Sequence, residues 1–366
     1  AGYGRGPANR AEPAGMVCPG GSTANLFAMQ LARHRADPTL IDEGADPNKR
    51  LVAFTSAHAH YSIDKSVRLL GLGKKALRAV ECDASGSMNM DALEAQLEAA
   101  VAAGETPFFI NASAGTTVTA AFDDFPRIVE LGRRFGAWVH IDGAVGGAAF
   151  FSARERHRLE GSAGTDSITW NLHKQSGATQ QCSILLVKEP ERLRKAFSTK
   201  AEYLFQADKN HRELDTGDLT FQCARRNDAL KAWLMWKARG EAGLAARIEH
   251  AVDLATRLEA WLDEREDFVV ALPRTFTNVC FWWLPASMRG SFDPKAITPA
   301  QREALHALAP RMKDRMQREG KAMVGYQPID GGPNTWRMLF INPAVTWEDV
   351  EFTLELIARY GREEEA

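Results

Sequence analysis

The sequence predicts an α/β fold: a large domain with a mostly parallel central sheet, then a smaller C-terminal α+β domain. Three observations carry this. Short apolar runs alternate with amphipathic helical stretches through the first part of the chain, the pattern of strands joined by crossover helices. From about Glu241 the pattern changes to helices with three β-like runs. The length, 366 residues, exceeds what one small core requires. The expected division is 1–240 and 241–366.

The elements follow in order. Residues 22–35 read as a helix, with Leu26, Met29 and Ala32 on one stripe. Residues 51–54 read as a strand and 61–70 as a helix that stops at Gly71. Residues 91–103 form an amphipathic helix ended by Gly104, placed to adopt the left-handed turn that closes helices. Residues 108–111, 138–141, 167–170 and 183–187 read as strands, and 128–135 as a helix. A polar, irregular segment follows, with a mobile loop expected at about 205–216. Leu230, Trp233, Leu234 and Trp236 then mark a helix. In the second domain, 277–283, 322–326 and 336–341 read as strands. Thr346 and Asp349 form a capping-box start for a helix running to Arg359.

Composition excludes several classes. Hydrophobic residues are 45% and charged residues 25%, an ordinary globular balance. Lys plus Arg is 45 against 47 Asp plus Glu, so there is no basic excess for nucleic acid. No apolar run approaches the roughly 18 residues of a membrane span. Five dispersed cysteines (Cys18, Cys82, Cys182, Cys223, Cys280) without a CxxC pair argue for a reducing, cytoplasmic setting and against a zinc site. The start carries no initiator Met and no secretory layout and leads directly into a motif, a pattern open to reading as a fragment or as a natural full-length chain.

Four motifs could carry chemistry. Pro19-Gly20-Gly21-Ser22 precedes the first helix, where helix-start N–H groups bind anions; a plain loop accounts for it equally. His58-Ala59-His60 follows a strand and reads as a structural, active-site or metal histidine pair. His140 and Asp142 share one strand face, and the carboxylate reads as a turn cap or as the partner of a cationic ring nitrogen or a metal. Asn171-Leu172-His173-Lys174 follows another strand, where a lysine can serve as an amine nucleophile or stay solvated. Taken together, in order, they supply a phosphate cradle, a ring-stacking histidine, a ring-nitrogen carboxylate and a Schiff-base lysine. Those are the parts a pyridoxal phosphate enzyme requires.

The resemblance then becomes specific. CPGGSTANLFAMQLAR (18–33), FTSAHAHYSIDK (54–65), NASAGTTV (111–118), WVHIDGAVGG (138–147) and SITWNLHK (167–174) occur in this order. EYLFQADK, DTGDLTFQCARRNDALKAWLMWKARG, TNVCFWWLP, MVGYQP and PNTWRM follow. The chain resembles the group II pyridoxal-phosphate-dependent decarboxylases, nearest the glutamate, cysteine sulfinate and aspartate decarboxylases. The resemblance implies the fold type I architecture of pyridoxal-phosphate enzymes, a homodimer, and decarboxylation of a small acidic L-amino acid to its amine. It implies that Lys174 carries pyridoxal 5'-phosphate, that Asp142 faces the pyridine nitrogen and that His60 stacks on the ring. Gly21, Ser22, Asn171 and His173 would hold the phosphate, Ala144 would pack on the ring, and Thr116 would sit near its substituents. Arg337 matches the arginine for the substrate α-carboxylate, and no metal is implied.

There are departures. Leu172 stands where relatives carry proline, and Gly143 and Val145 are smaller than their counterparts. The family's N-terminal segment, which contributes to the dimer and the substrate pocket, is expected to be absent. Relatives place a proton-donating tyrosine in the mobile loop; here the loop has none, and His211 takes that place when counted from Lys209. The remaining readings are an aldehyde-forming or other fold type I reaction, and a catalytically silent decarboxylase-like subunit.

Overall fold

Seven strands form the sheet of the first unit, in the order β1-β7-β6-β5-β4-β2-β3. They are β1 (Gly15–Cys18), β2 (Leu51–Ser56), β3 (Leu77–Val80), β4 (Thr106–Ser113), β5 (Trp138–Asp142), β6 (Ser167–Trp170) and β7 (Ser183–Val187). The neighbours from β6 through to β3 all pair parallel, and β7 runs antiparallel to both β6 and β1. The computed structural model describes residues 15–199 and 216–365. The expected loop, apart from Thr216, lies outside the described residues, and His211 with it.

The helices α1 (Gly21–Ala36), α2 (Leu40–Glu43), α3 (Ser62–Leu69), α4 (Met90–Ala102) and α5 (Phe125–Phe135) lie between these strands in the chain, and α6 (Glu191–Phe197) follows β7. Strand alternation sorts the core into two layers. Phe109 and Trp138 pack with Phe27 and Leu31 of α1 and Val67 of α3. Ile110, Val139 and Ile141 pack on the other side with Leu93 and Leu97 of α4 and Ile128 and Leu131 of α5. Each such fully buried side chain contributes about 1.5–3 kcal/mol relative to exposure. Trp138, His140 and Asp142 therefore share the α1 face of β5.

Local signals account for the helix ends. Asn89 accepts from the backbone N–H of Asp91 and Ala92 at the start of α4, and Gly104, with φ of 69°, follows its end. Asp124 caps α5 by accepting from Arg127, and Gly136 closes it in the left-handed region.

The next helix, α7 (Asp228–Asp263), is interrupted at Gly240, where φ is 64°. The two units divide between 245 and 246, with Val118–Ala120 assigned to the second. That unit holds β8 (Phe268–Val270), β9 (Asn278–Trp283), α8 (Pro299–Arg318), β10 (Gly325–Pro328), β11 (Asn334–Leu339) and α9 (Trp347–Glu365). Its four strands form an antiparallel sheet in the order β10-β11-β9-β8. Thr298 and Gln301 make a reciprocal capping box at α8. At α9 the Asp349 carboxylate accepts from the Thr346 backbone N–H at 2.9 Å, and Thr346 Oγ1 accepts from Asp349 N–H at 3.4 Å.

One strand shifts from its expected place. The run 322–326 begins too early: only Gly325–Pro328 has partners on β11, with Gly325 opposite Arg337 and Pro328 opposite Asn334. Ala322 and Val324 of its apolar start pack on the unit's core without pairing, while Met323 between them is exposed. Among the described residues no helix is long and apolar enough to cross a membrane.

Candidate active site

The C-terminal ends of β2, β4, β5 and β6 open on a cavity of ≈ 370 Å³, which the start of α1 also lines. Ligands of open α/β sheets bind at this edge, where strand carboxyl ends and helix amino ends meet. The lining includes Gly20, Gly21, Ser22 and Asn25 from α1 and its entry, and His60 and Tyr61 beyond β2. Ser113 and Thr116 come from the end of β4, Asp142, Ala144 and Val145 from that of β5. Asn171, His173 and Lys174 follow β6. All nine residues assigned to the cofactor by resemblance are thus brought together: Gly21, Ser22, His60, Thr116, Asp142, Ala144, Asn171, His173 and Lys174. Every lining residue belongs to the first unit.

The anion end of the cavity is built from backbone. Gly20, at φ 105°, occupies the N-cap position and supplies no side chain, and the first turn of α1 holds no acidic residue. The first-turn N–H groups and the helix dipole therefore favour a negative group. A Cβ on Gly21 would lie 2.7 Å from Asn171 Oδ1, so any side chain here would have to displace the Asn171 amide. Asn171 Oδ1 accepts from Ser183 Oγ at 2.7 Å, which leaves its Nδ2 to donate. His173 Nδ1 lies 2.7 Å from the Cys182 carbonyl and 3.1 Å from the Cys182 backbone N–H, so the Cys182 backbone anchors the ring.

The opposite end is a carboxylate. Asp142 is 8% exposed, and burial of an ion at this position requires partners. Its Oδ2 accepts from Asn25 Nδ2 at 2.8 Å and its Oδ1 from the Ala144 N–H at 3.0 Å. His60 stands between the ends, with its ring 4.2 Å from Tyr61 and its Nδ1 2.9 Å from Ser62 Oγ. Burial lowers the His60 pKa; nearby Asp142 opposes this and Lys174 adds to it. Lys174 sits in a tight turn, its N–H donating to the Asn171 carbonyl at 3.1 Å and its own carbonyl accepting from Gly177 at 2.9 Å.

The departures have local explanations. Leu172 is fully buried among Ala178, Cys182, Met235 and Leu244. A Cβ on Gly143 would approach the Thr169 carbonyl to 2.8 Å, so this chain has no room for alanine there. Val145 lines the cavity directly. His58 does not line it, and among the described residues no group of three His, Cys, Asp or Glu is placed to hold a metal. Arg337 lies on β11 in the second unit, paired with Gly325 and Cys280. His211 lies outside the described residues.

Sequence reasoning missed Asn25, Ser62 and Tyr61. The available signal for Asn25 was a polar residue one position from the apolar stripe of α1; it proves 1% exposed. Ser62 follows His60 by two, the spacing at which a serine hydroxyl meets a ring nitrogen.

A family model for the pyridoxal-dependent decarboxylase conserved domain matches residues 6–284. The chain is 42% identical over 351 residues to cysteine sulfinic acid decarboxylase from Homo sapiens, covering 95% of this chain and 70% of that protein. It is 41% identical over 354 residues to acidic amino acid decarboxylase GADL1 from Mus musculus, covering 96% and 64% respectively. A crystal structure of mouse CSAD matches with a TM-score of 0.90 at 39% identity, covering 96% of this chain and 73% of that one.

His140, behind Asp142, generates a pH prediction. Burial pushes its pKa from 6.5 down to about 4. Between those values the unfolded chain binds a proton that the folded protein does not, so stability falls as pH falls from 6.5 to 4. The slope from this one group is up to about 1.4 kcal/mol per pH unit. Asp123, pushed up to about 6 by burial, acts in the opposite sense: its contribution is lost as pH rises. Urea unfolding across this window should show a steeper acid loss in the wild type than in His140→Gln. Equal slopes would count against a neutral buried His140.

Proposed function

The chain belongs to the pyridoxal-dependent decarboxylase family, and on that premise we propose that its substrate is a small acidic L-amino acid: cysteine sulfinate, glutamate or aspartate. Its cofactor is pyridoxal 5'-phosphate and its reaction is amino acid decarboxylation. The observation that supports the site assignment is the convergence of Lys174, Asp142, His60 and the open start of α1 on one cavity. These groups fit the cofactor: an anion cradle that a Cβ at Gly21 would fill, an anchored carboxylate and an amine.

The cofactor, when bound, supplies an electron sink conjugated to the substrate Cα. In our reading the residues divide the remaining work. Lys174 Nζ is the amine that would hold the cofactor covalently. The Asp142 carboxylate holds a proton at the pyridine nitrogen. His60 would stack on the cofactor ring and Ala144 would pack against it. The first turn of α1, Ser22, Asn171 and His173 bind the phosphate, and Thr116 contacts ring substituents. Arg337 binds the substrate α-carboxylate through its planar fork. His211 donates the proton that replaces carbon dioxide at Cα, a task suited to an imidazole near neutrality.

The substrate reading draws on the two acidic amino acid decarboxylases among the relatives. Its test is to offer the three amino acids separately and quantify amine, carbon dioxide and aldehyde. One substrate should yield amine and carbon dioxide in equal amounts. Aldehyde as the main product, or no turnover of any of the three, contradicts the reading. After borohydride reduction, mass spectrometry should find the phosphopyridoxyl group on Lys174, and Lys174→Ala should lose both it and turnover. Attachment to a different lysine removes the assignment.

We also infer a cytoplasmic homodimer. Phe221, Leu230, Trp233 and Leu234 are exposed apolar side chains on and before α7, more than a solvated surface needs. All five cysteines are free thiols, in keeping with a reducing compartment. Sedimentation of the active protein should give a dimer; a fully active monomer contradicts this.

A further inference from the structure

The roles proposed for Asp142 and His60 share an unassigned neighbour. Asn25 is buried in the first turns of α1, and its Nδ2 lies 2.8 Å from Asp142 Oδ2 and 2.9 Å from Ser62 Oγ. Its Oδ1 lies 3.1 Å from His140 Nε2. One amide thus joins three polar side chains, Asp142 and His140 from β5 and Ser62 from α3.

Donor direction can be assigned along the whole path. Trp138 Nε1–H can only donate, and it meets Ser167 Oγ at 2.8 Å. Ser167 can then direct its hydroxyl proton to His140 Nδ1, also at 2.8 Å. The ionised Asp142 can only accept, so Asn25 turns Nδ2 to it and Oδ1 to His140 Nε2, and the neutral, buried His140 carries its proton on Nε2. That proton goes to Asn25 Oδ1, with Thr169 Oγ1 at 3.3 Å as a longer alternative. The Asn25 amide is now oriented: a flipped amide would set its oxygen against the Asp142 carboxylate. Both Nδ2 protons are used, one on Asp142 and one on Ser62. Ser62, having accepted, directs its own hydroxyl proton to His60 Nδ1 at 2.9 Å, where its backbone N–H also points at 3.2 Å. His60 Nδ1 is an acceptor, so the His60 proton resides on Nε2.

We propose that Asn25 is a positioning residue that couples the two cofactor-facing groups: it orients Asp142 directly and, through Ser62, sets the tautomer of His60. The proposal rests on the reading of Asp142 and His60 as cofactor residues, but its main readout does not need the reaction. The apoprotein, labelled with ¹⁵N-histidine, reports the His60 tautomer by its ring nitrogen shifts, assigned through their loss in His60→Gln.

The wild type should show a single Nε2–H tautomer at neutral pH. Asn25→Ala frees the Ser62 hydroxyl to accept from His60 and leaves only the longer contact from the Ser62 backbone N–H to keep Nδ1 an acceptor, so a population of the Nδ1–H tautomer should appear beside the Nε2–H form. Pyridoxal phosphate binding should weaken about tenfold or more, the loss of one hydrogen bond to a charged acceptor. Ser62→Ala cuts only one limb, and it keeps the test open if Asn25→Ala fails to fold. It removes the shorter of the two donors to His60 Nδ1, so the Nδ1–H form should become detectable, while cofactor affinity stays within about twofold of the wild type because the Asp142 limb is intact. An unchanged His60 tautomer in either variant overturns the coupling, even if stability or affinity falls, because a merely structural asparagine predicts that result. Failure of the decarboxylation reading would appear instead as absent amine with the tautomer behaviour intact.

Discussion

A carboxylate at the end of a buried strand is the constraint around which this site is arranged. Asp142 ends β5, near the middle of the sheet and almost out of reach of water. An ion there costs several kcal/mol unless it is hydrogen-bonded. The fold answers with two donors of different origin, the Ala144 N–H just beyond it in the chain and the Asn25 amide on α1. The helix that supplies Asn25 is the one whose first turn forms the anion cradle. A single helix therefore sets both ends of the cavity: its dipole attracts a phosphate at one end and its amide steadies a carboxylate at the other.

The polarity of the cavity follows from this. A ligand with an anionic tail and a cationic ring nitrogen matches the two ends, and Lys174 joins the lining from the turn after β6. The parallel strands make the convergence possible, because β2, β4, β5 and β6 all present their C-terminal ends on one edge. The β5 alternation then sets which side chains face α1 and the cavity. Ile141 faces α5 and packs, whereas His140 and Asp142 face α1 and hydrogen-bond.

Much of this was legible in the sequence. The strands of the central sheet announced themselves as apolar runs because both their faces are buried. The edge strands were harder to read. β3 exposes Arg78 and Ala79, and β1 is four residues with only Met16 and Cys18 buried. Their pairing comes from neighbours rather than from their own pattern. In the site, Gly21, Asp142 and Lys174 were visible because each sits where a helix starts or a strand ends. Asn25 and Ser62 were not, since a buried polar side chain inside a helix looks like an ordinary surface residue until the helix has a partner. The smaller residues Gly143 and Val145 were legible as departures, but the carbonyl of Thr169 that excludes a larger residue at 143 is a feature of folding alone.

The account depends on Asp142 acting as a charge rather than as a cap for the following turn. Asp142→Asn separates the two, because an asparagine Oδ1 can still accept from Ala144 while the negative charge is gone. With pyridoxal phosphate saturating and its attachment to Lys174 verified by reduction, amine formation should be compared between this variant and the wild type. The account predicts a fall in kcat of about a hundredfold or more, the scale seen when one preorganised electrostatic partner is removed from an active site. A cofactor-loaded Asp142→Asn variant that turns over at the wild-type rate would contradict it.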